Sequence, residues 1–190
     1  MDILAHTLWA NYGARVGNKA IENKNKKKAK PTPKINVAWA SFFGVFPDFF
    51  AFTIPFILAL YSIVTGASSF ASFGSHHAPV AGFNLASFLY QYSHSLVIWA
   101  VVFVIVWFLY KRPRLELLGW LLHILIDIPS HTPSFYPTPF LFPISEYRFP
   151  YGVQWSNKYY MIINYSLLLI VSIYMIVKFK KQKAITKNNL

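Results

Sequence analysis

Asp48 and Asp127 stand in stretches otherwise built from apolar residues, and His6, His94 and His123 stand in similar stretches elsewhere in the chain. His131 follows shortly after the last of these. Ionisable groups in apolar surroundings are costly, and are functional candidates by default. Imidazole nitrogen combined with carboxylate oxygen suits Zn²⁺, and less distinctively Mn²⁺ or Fe²⁺. A divalent metal compensates buried carboxylates and holds histidine neutral. With one coordination position open, it lowers the pKa of bound water toward 7 and makes hydroxide available for hydrolysis.

Each residue also has a plainer reading. Asp48 follows Pro47 and would cap a helix restarting there. His94 sits between Ser93 and Ser95, which suits a polar contact between helices. His123 and Asp127 suit a structural i,i+4 pair, and His6 a hydrogen-bonded core histidine. Together, the same groups also suit a proton or ion relay.

The elements that must position these residues are apolar helices. The chain has 190 residues, is 55% apolar and only 13% charged, and residues 49–110 contain no Asp, Glu, Lys or Arg. A soluble domain carries about 25% charged residues. The composition therefore predicts an integral membrane protein, all-α, a multi-pass transmembrane bundle forming one domain over 1–190. A spanning helix needs about 20 apolar residues. Four segments are expected to span: 37–64, broken by Pro47 and Pro55; 85–110; 115–128, short and ended or kinked by Pro129; and 159–177. A shorter N-terminal helix over 3–16 reads as a half-span or as lying along the bundle. Residues 1–3, Met-Asp-Ile, do not read as the basic start of a signal peptide.

Spacing and depth point the candidates at one another. His123, Asp127 and His131 fall at i, i+4 and i+8, so they drift about 40° per step along one helical face. Counted at 1.5 Å per residue from the charged turns, Asp127, His94 and Asp48 all come to roughly 16–20 Å from the same side of the membrane. Three separate segments thus bring an acid or an imidazole to one level.

Charge gives the orientation. The net charge is +12, but fifteen of the eighteen Lys and Arg lie in the 18–34 loop, the 111–114 turn and the 178–190 tail. The 66–84 and 129–158 loops hold only Arg148 and Lys158. Cytoplasmic loops carry the excess of Lys and Arg. The lysine-rich loop and the C-terminus are therefore expected in the cytoplasm, with 66–84 and 129–158 outside. The expected location is the inner (cytoplasmic) membrane and the expected partner its lipid bilayer. A nucleic-acid role would need these cations on a folded surface, so none is expected. The chain has no cysteine, which excludes disulfides and thiolate ligands. It also has no Gly-x-Ser-x-Gly and no Gly-rich phosphate loop.

Three motifs occur in order: residues 46–48, Phe-Pro-Asp; residues 92–96, Tyr-Ser-His-Ser-Leu; and residues 119–127, Gly-Trp-Leu-Leu-His-Ile-Leu-Ile-Asp. With the early Ala5-His6-Thr7 they resemble the YdjM-like family of inner-membrane, metal-dependent hydrolases. The resemblance covers most of residues 1–150. It implies a multi-pass membrane hydrolase whose candidate metal ligands are His6, Asp48, His94, His123 and Asp127, and an aromatic-proline loop with an arginine, here residues 141–143 and Arg148. The family often reads Pro-Asp-x-Asp-His where this chain has Pro47-Asp48-Phe49-Phe50-Ala51. It also often has His-Arg where this chain has Leu89 and Tyr90. These departures favour one metal over two, with His131, or else His76 and His77, as substitute ligands. The expected activity is hydrolysis of an ester or phosphoester, with a lipid or lipid-linked substrate. His94, His123 and one of Asp48 and Asp127 would bind the metal, and the other carboxylate would orient or deprotonate water. Arg148 suits either an anionic substrate or interfacial anchoring.

Overall fold

In the computed structural model, which describes residues 2–26, 31–67 and 83–188, Asp2 starts the first helix by accepting a hydrogen bond from Ala5 N at 3.0 Å. Helix α1 covers Ile3–Asn25, longer than expected, so the first part of the presumed 18–34 loop is helical. No proline interrupts it, and two asparagines fasten its end to the returning chain. Asn18 bonds both backbone groups of Ile35, at 2.6 and 2.9 Å, and Asn25 bonds both of Thr32, at 2.8 Å each.

Helix α2, Val37–Val64, is continuous through Pro47 and Pro55, which corrects the expected breaks. Membrane helices tolerate proline where neighbouring groups satisfy the freed backbone. Continuity also removes the capping role for Asp48, which sits mid-helix without a helix start to cap.

The expected 85–110 span divides instead. Helix α3, Phe83–Ser93, meets α4, Leu96–Tyr110, at a 58° bend. Ser95 caps α4, accepting from Val97 N and Ile98 N at 3.1 Å each, and donates to the Phe142 carbonyl. Ser93 O accepts from Trp120 Nε1 at 2.6 Å, and Leu96 N donates to Phe140 O at 3.0 Å. Non-helical backbone in apolar surroundings survives only when protein satisfies it in this way.

A 3₁₀ turn, Leu115–Leu117, leads into α5, Leu118–Ser130. At 13 residues, α5 is about 20 Å long, short of a 30 Å hydrocarbon core. It is an interior helix, packed on α1, α2 and α4. Helix α6, Lys158–Asn188, contains the expected 159–177 segment and continues through most of the expected tail. Among the described residues two helices, α2 and α6, are thus long and apolar enough to cross a membrane, or three elements if the bent α3–α4 pair is one span. That is fewer than the four expected. Among the described residues the fold is all helical, with no strand.

Polar contacts join α6 to the bundle: Trp9 Nε1 donates to Asn164 Oδ1 at 2.9 Å, and Tyr165 OH to Asp2 Oδ1 at 2.7 Å. Outward faces remain apolar, with Phe108, Leu109, Ile162, Ile163 and Ile170 exposed. That is the pattern of a lipid-facing surface. The segment after α5 packs back onto it, as Val153 N donates to Pro129 O and Trp155 N to Ser130 O, both at 2.9 Å.

Small residues let the helices that carry the site approach. A Cβ on Gly119 of α5 would overlap the Ala40 carbonyl oxygen and lie 3.0 Å from Gly44 N. A Cβ on Gly44 would lie 2.5 Å from Ala10 Cβ and 2.9 Å from His6 O. Helices α1, α2 and α5 therefore touch nearly backbone to backbone at this level, as small residues permit in membrane bundles.

Candidate metal centre

Four side chains from three parts of the chain meet there. Asp48 comes from α2, His94 from the break between α3 and α4, and His123 and Asp127 from adjacent turns of α5. One donor atom from each lies within 4.8 Å of all the others, so the group could hold a metal ion. His94 Nε2 and His123 Nε2 are 3.0 Å apart. Asp127 Oδ2 is 3.2 Å from His123 Nε2 and 3.5 Å from His94 Nε2. Asp48 Oδ1 is 3.5 Å from His94 Nε2 and 3.7 Å from His123 Nε2. A tetrahedral ion with bonds of about 2.0–2.1 Å places its donors roughly 3.3 Å apart. The observed spacings lie on both sides of that value.

The outer partners decide what these nitrogens offer. His123 Nδ1 lies 2.7 Å from the Gly44 carbonyl. A carbonyl only accepts, so Nδ1 carries the proton and Nε2 of the neutral ring presents a lone pair. His94 Nδ1 lies 2.9 Å from Ser93 Oγ, which is also 3.4 Å from Tyr90 O. His94 Nε2 lies 3.0 Å from His123 Nε2 and donates to that lone pair when Ser93 donates to His94 Nδ1; when Nδ1 instead donates to Ser93 Oγ, His94 Nε2 presents a lone pair as well. In that second tautomer two nitrogen lone pairs and two carboxylates face one point. Only a cation, either protons or a metal, makes that arrangement favourable in a buried place. The pattern also matches the usual outer shell of a metal-bound histidine, whose second nitrogen donates to a fixed acceptor.

Stacking fixes the rings further. The His123 ring lies on that of His6, and the His94 ring on that of Tyr90, both with centroids 3.7 Å apart. All three histidines and Asp127 are fully buried, while the Asp48 side chain keeps 16% of its surface accessible.

His6 and His131 belong to a different part of the arrangement. His6 Nε2 is 3.0 Å from Asp127 Oδ1, off the line of a good hydrogen bond, and His131 Nε2 is 3.6 Å from the same oxygen. Ser130 Oγ donates to it at 3.3 Å. Asp127 thus directs Oδ2 at the two inner histidines while its other oxygen is surrounded by His6, Ser130 and His131. The resemblance counts His6 among the ligands; here it stands outside the group of four and lies against the other oxygen of Asp127. His131 likewise stands outside the group of four, because the helix ends at Ser130 and His131 is its extended C-cap. His76 and His77 lie outside the described residues. Ser93, Ser130 and the Gly44 carbonyl were not singled out by sequence. Ser93 beside His94, and Ser130 three residues past Asp127, were the available signals, whereas a backbone carbonyl 79 residues from His123 leaves none.

No family model, curated protein or solved structure matches this chain. The site is therefore read from its own geometry.

Beside the four donors lies a cavity of about 820 Å³, into which Asp48 and His131 both face. Volumes of about 300–1,000 Å³ are usual for small-molecule sites. Tyr136 also lines it, and burial raises its phenol above the ordinary value, which keeps it a neutral hydroxyl. Arg148 is not in the wall. Its Nη1 donates to its neighbours' backbone, Glu146 O at 2.9 Å and Tyr147 O at 3.4 Å.

The outer-shell role of Ser93 predicts a graded effect. Ser93→Ala is expected to weaken metal affinity about 10–100-fold while leaving the ligand number unchanged. Competition with a chelator of known affinity measures the first, and X-ray absorption the second.

Proposed function

We propose that the protein is a membrane-embedded, metal-dependent hydrolase acting on an ester or phosphoester bond of a lipid or lipid-linked substrate. The observation that carries this reading is the meeting of two imidazole nitrogens and two carboxylates beside a cavity of substrate size. The order of the motifs, which resembles the YdjM-like hydrolases, supports the same reading. A single divalent ion suits the four donors, with zinc favoured by two imidazoles and two carboxylates and manganese or iron as alternatives. When bound, such an ion would bring the pKa of a coordinated water toward 7.

The protein's own groups divide the remaining work. Asp127, fully buried and held on its far oxygen, anchors the site. His94 and His123 complete the inner set. Asp48 is the donor that also reaches the cavity, and so is the carboxylate placed to orient a water or take its proton at Oδ1. The apolar helices support a membrane setting, and the positive-inside distribution of lysine and arginine supports an inner-membrane protein with the loop after α1 and the C-terminus in the cytoplasm.

The test is metal-dependent turnover. Purified protein loaded with zinc is expected to hydrolyse nitrophenyl esters, to lose more than 99% of that rate on chelation, and to regain it when zinc is restored. Equal rates before and after complete metal removal would contradict the reading. So would the absence of any turnover in metal-loaded protein.

One observation favours a rival. The α3–α4 helix is broken at His94, and broken helices at ion sites are a device of transporters. A transporter or ion relay predicts a proton flux in liposomes that needs no bound metal and that Asp127→Asn abolishes. The hydrolase predicts none.

A further inference from the structure

We infer that the substrate is an uncharged carboxylic ester carrying an alkyl chain, and that the chain lies along α2 in the cavity beside Asp48. The inference rests on the hydrolytic reading of the same site and narrows it.

The cavity wall gives the first argument. Phe52 and Phe56 follow Asp48 at i+4 and i+8, so they continue its helical face for about 12 Å. Leu4 of α1, Ile57 of α2 and Trp155 complete an apolar channel leading away from the carboxylate. Leu4, Phe56 and Ile57 are each more than half exposed on the lipid-facing surface. The channel therefore begins at the donor group and opens sideways toward the bilayer, which is where an amphiphile with its tail in the membrane would enter.

Charge gives the second. The ionisable groups lining the cavity are Asp2, Asp48, His131 and Tyr136, and among the described residues no Lys or Arg lines it. Phosphate sites rely on arginine or lysine. Two carboxylates balance one divalent ion, leaving no surplus positive charge for an anionic phosphoester. A neutral ester carbonyl needs none.

The reaction balances with water alone. The water oxygen forms a bond to the carbonyl carbon, the bond from that carbon to the alcohol oxygen breaks, and one water proton passes to the departing oxygen. The products are a fatty acid and an alcohol.

The experiment uses metal-loaded full-length protein in lipid nanodiscs with nitrophenyl acetate, nitrophenyl octanoate and bis(nitrophenyl) phosphate. Each buried methylene contributes about fourfold in affinity, so the octanoate-to-acetate ratio of kcat/KM is expected to exceed tenfold. Thr53 lines the channel, and Thr53→Trp would fill it. Leu4→Trp would do so from the opposite wall. Partition of octanoate into the nanodisc is the same for every variant. A tenfold fall in the ratio, with bound metal retained, therefore reports the channel itself. The phosphodiester is expected to react at least tenfold more slowly than octanoate. Equal ratios in wild type and both tryptophan variants, or preferred cleavage of the phosphodiester, would overturn the inference while leaving hydrolysis standing. No turnover of any of the three would remove the hydrolytic reading, and the inference with it.

Discussion

Asp127→Asn is expected to lower metal affinity by about two to three and a half decades while leaving the metal-free protein about as stable as wild type. The two halves of this result have one origin. Asp127 Oδ2 faces the Nε2 atoms of His94 and His123 at 3.5 and 3.2 Å. An amide of the same shape keeps the volume and the hydrogen-bonding reach, but gives up the charge. Breaking a buried charge pair costs about 3–5 kcal/mol, which at 1.4 kcal/mol per decade sets the predicted loss. Without metal the difference shrinks, because the buried wild-type carboxylate is then held by Ser130 and the surrounding histidines, contacts that an amide of the same shape also makes. Metal stabilises wild type by its binding free energy, so added zinc should raise the wild-type unfolding temperature and hardly move that of Asp127→Asn. An equal rise in both proteins would contradict this account of Asp127.

Gly119→Ala is expected to damage stability and site together. The added methyl would overlap the Ala40 carbonyl oxygen, a backbone atom that no rotamer change can move aside. Overpacking costs typically 1–3 kcal/mol, and a backbone clash belongs at or above the top of that range. Gly119 lies one turn before His123 on α5, and Gly44, also close to the new methyl, supplies the carbonyl that holds His123 Nδ1 at 2.7 Å. Separating α2 from α5 would therefore release the tautomer of His123 and draw Asp48 away from the other three donors. The measured outcome is a loss of about 3 kcal/mol in reversible denaturation in detergent, with metal affinity at least tenfold weaker. Leu125→Ala, on the exposed side of α5, would not reproduce that coupling. Wild-type stability in Gly119→Ala would contradict the described approach of the two helices.

These two residues also show what could be read in advance. Asp127 was legible because a carboxylate in an apolar run is costly wherever it lies, and its i,i+4 relation to His123 needs only the helical repeat. The helix carrying Asp48 was legible in extent, Val37–Val64, because apolar composition governs it. Its continuity through Pro47 and Pro55 was not, since local rules for proline predict a break and only neighbouring helices supply the compensation. The opposite error occurred at His94. A segment without proline or glycine hid a bend that depends on Trp120 and the 140–142 backbone, both remote in sequence. The count of four spans was not confirmed, for a related reason. Apolar composition marks α5 as buried, but a helix buried by protein and one buried by lipid look alike in sequence, and only its 13-residue length separates them. Depth arithmetic brought Asp48, His94 and Asp127 to one level. It could not say which oxygen of Asp127 faces inward, and hence could not separate the four central donors from His6 and His131 behind them.

The metal content of purified protein tests the central claim most directly. Wild-type protein extracted in mild detergent and analysed by mass spectrometry of its metals is expected to carry about one divalent ion per chain, and His123→Ala less than a tenth of that. Wild-type protein that stays metal-free after incubation with zinc, manganese and iron, or a His123→Ala protein with undiminished metal, would contradict it.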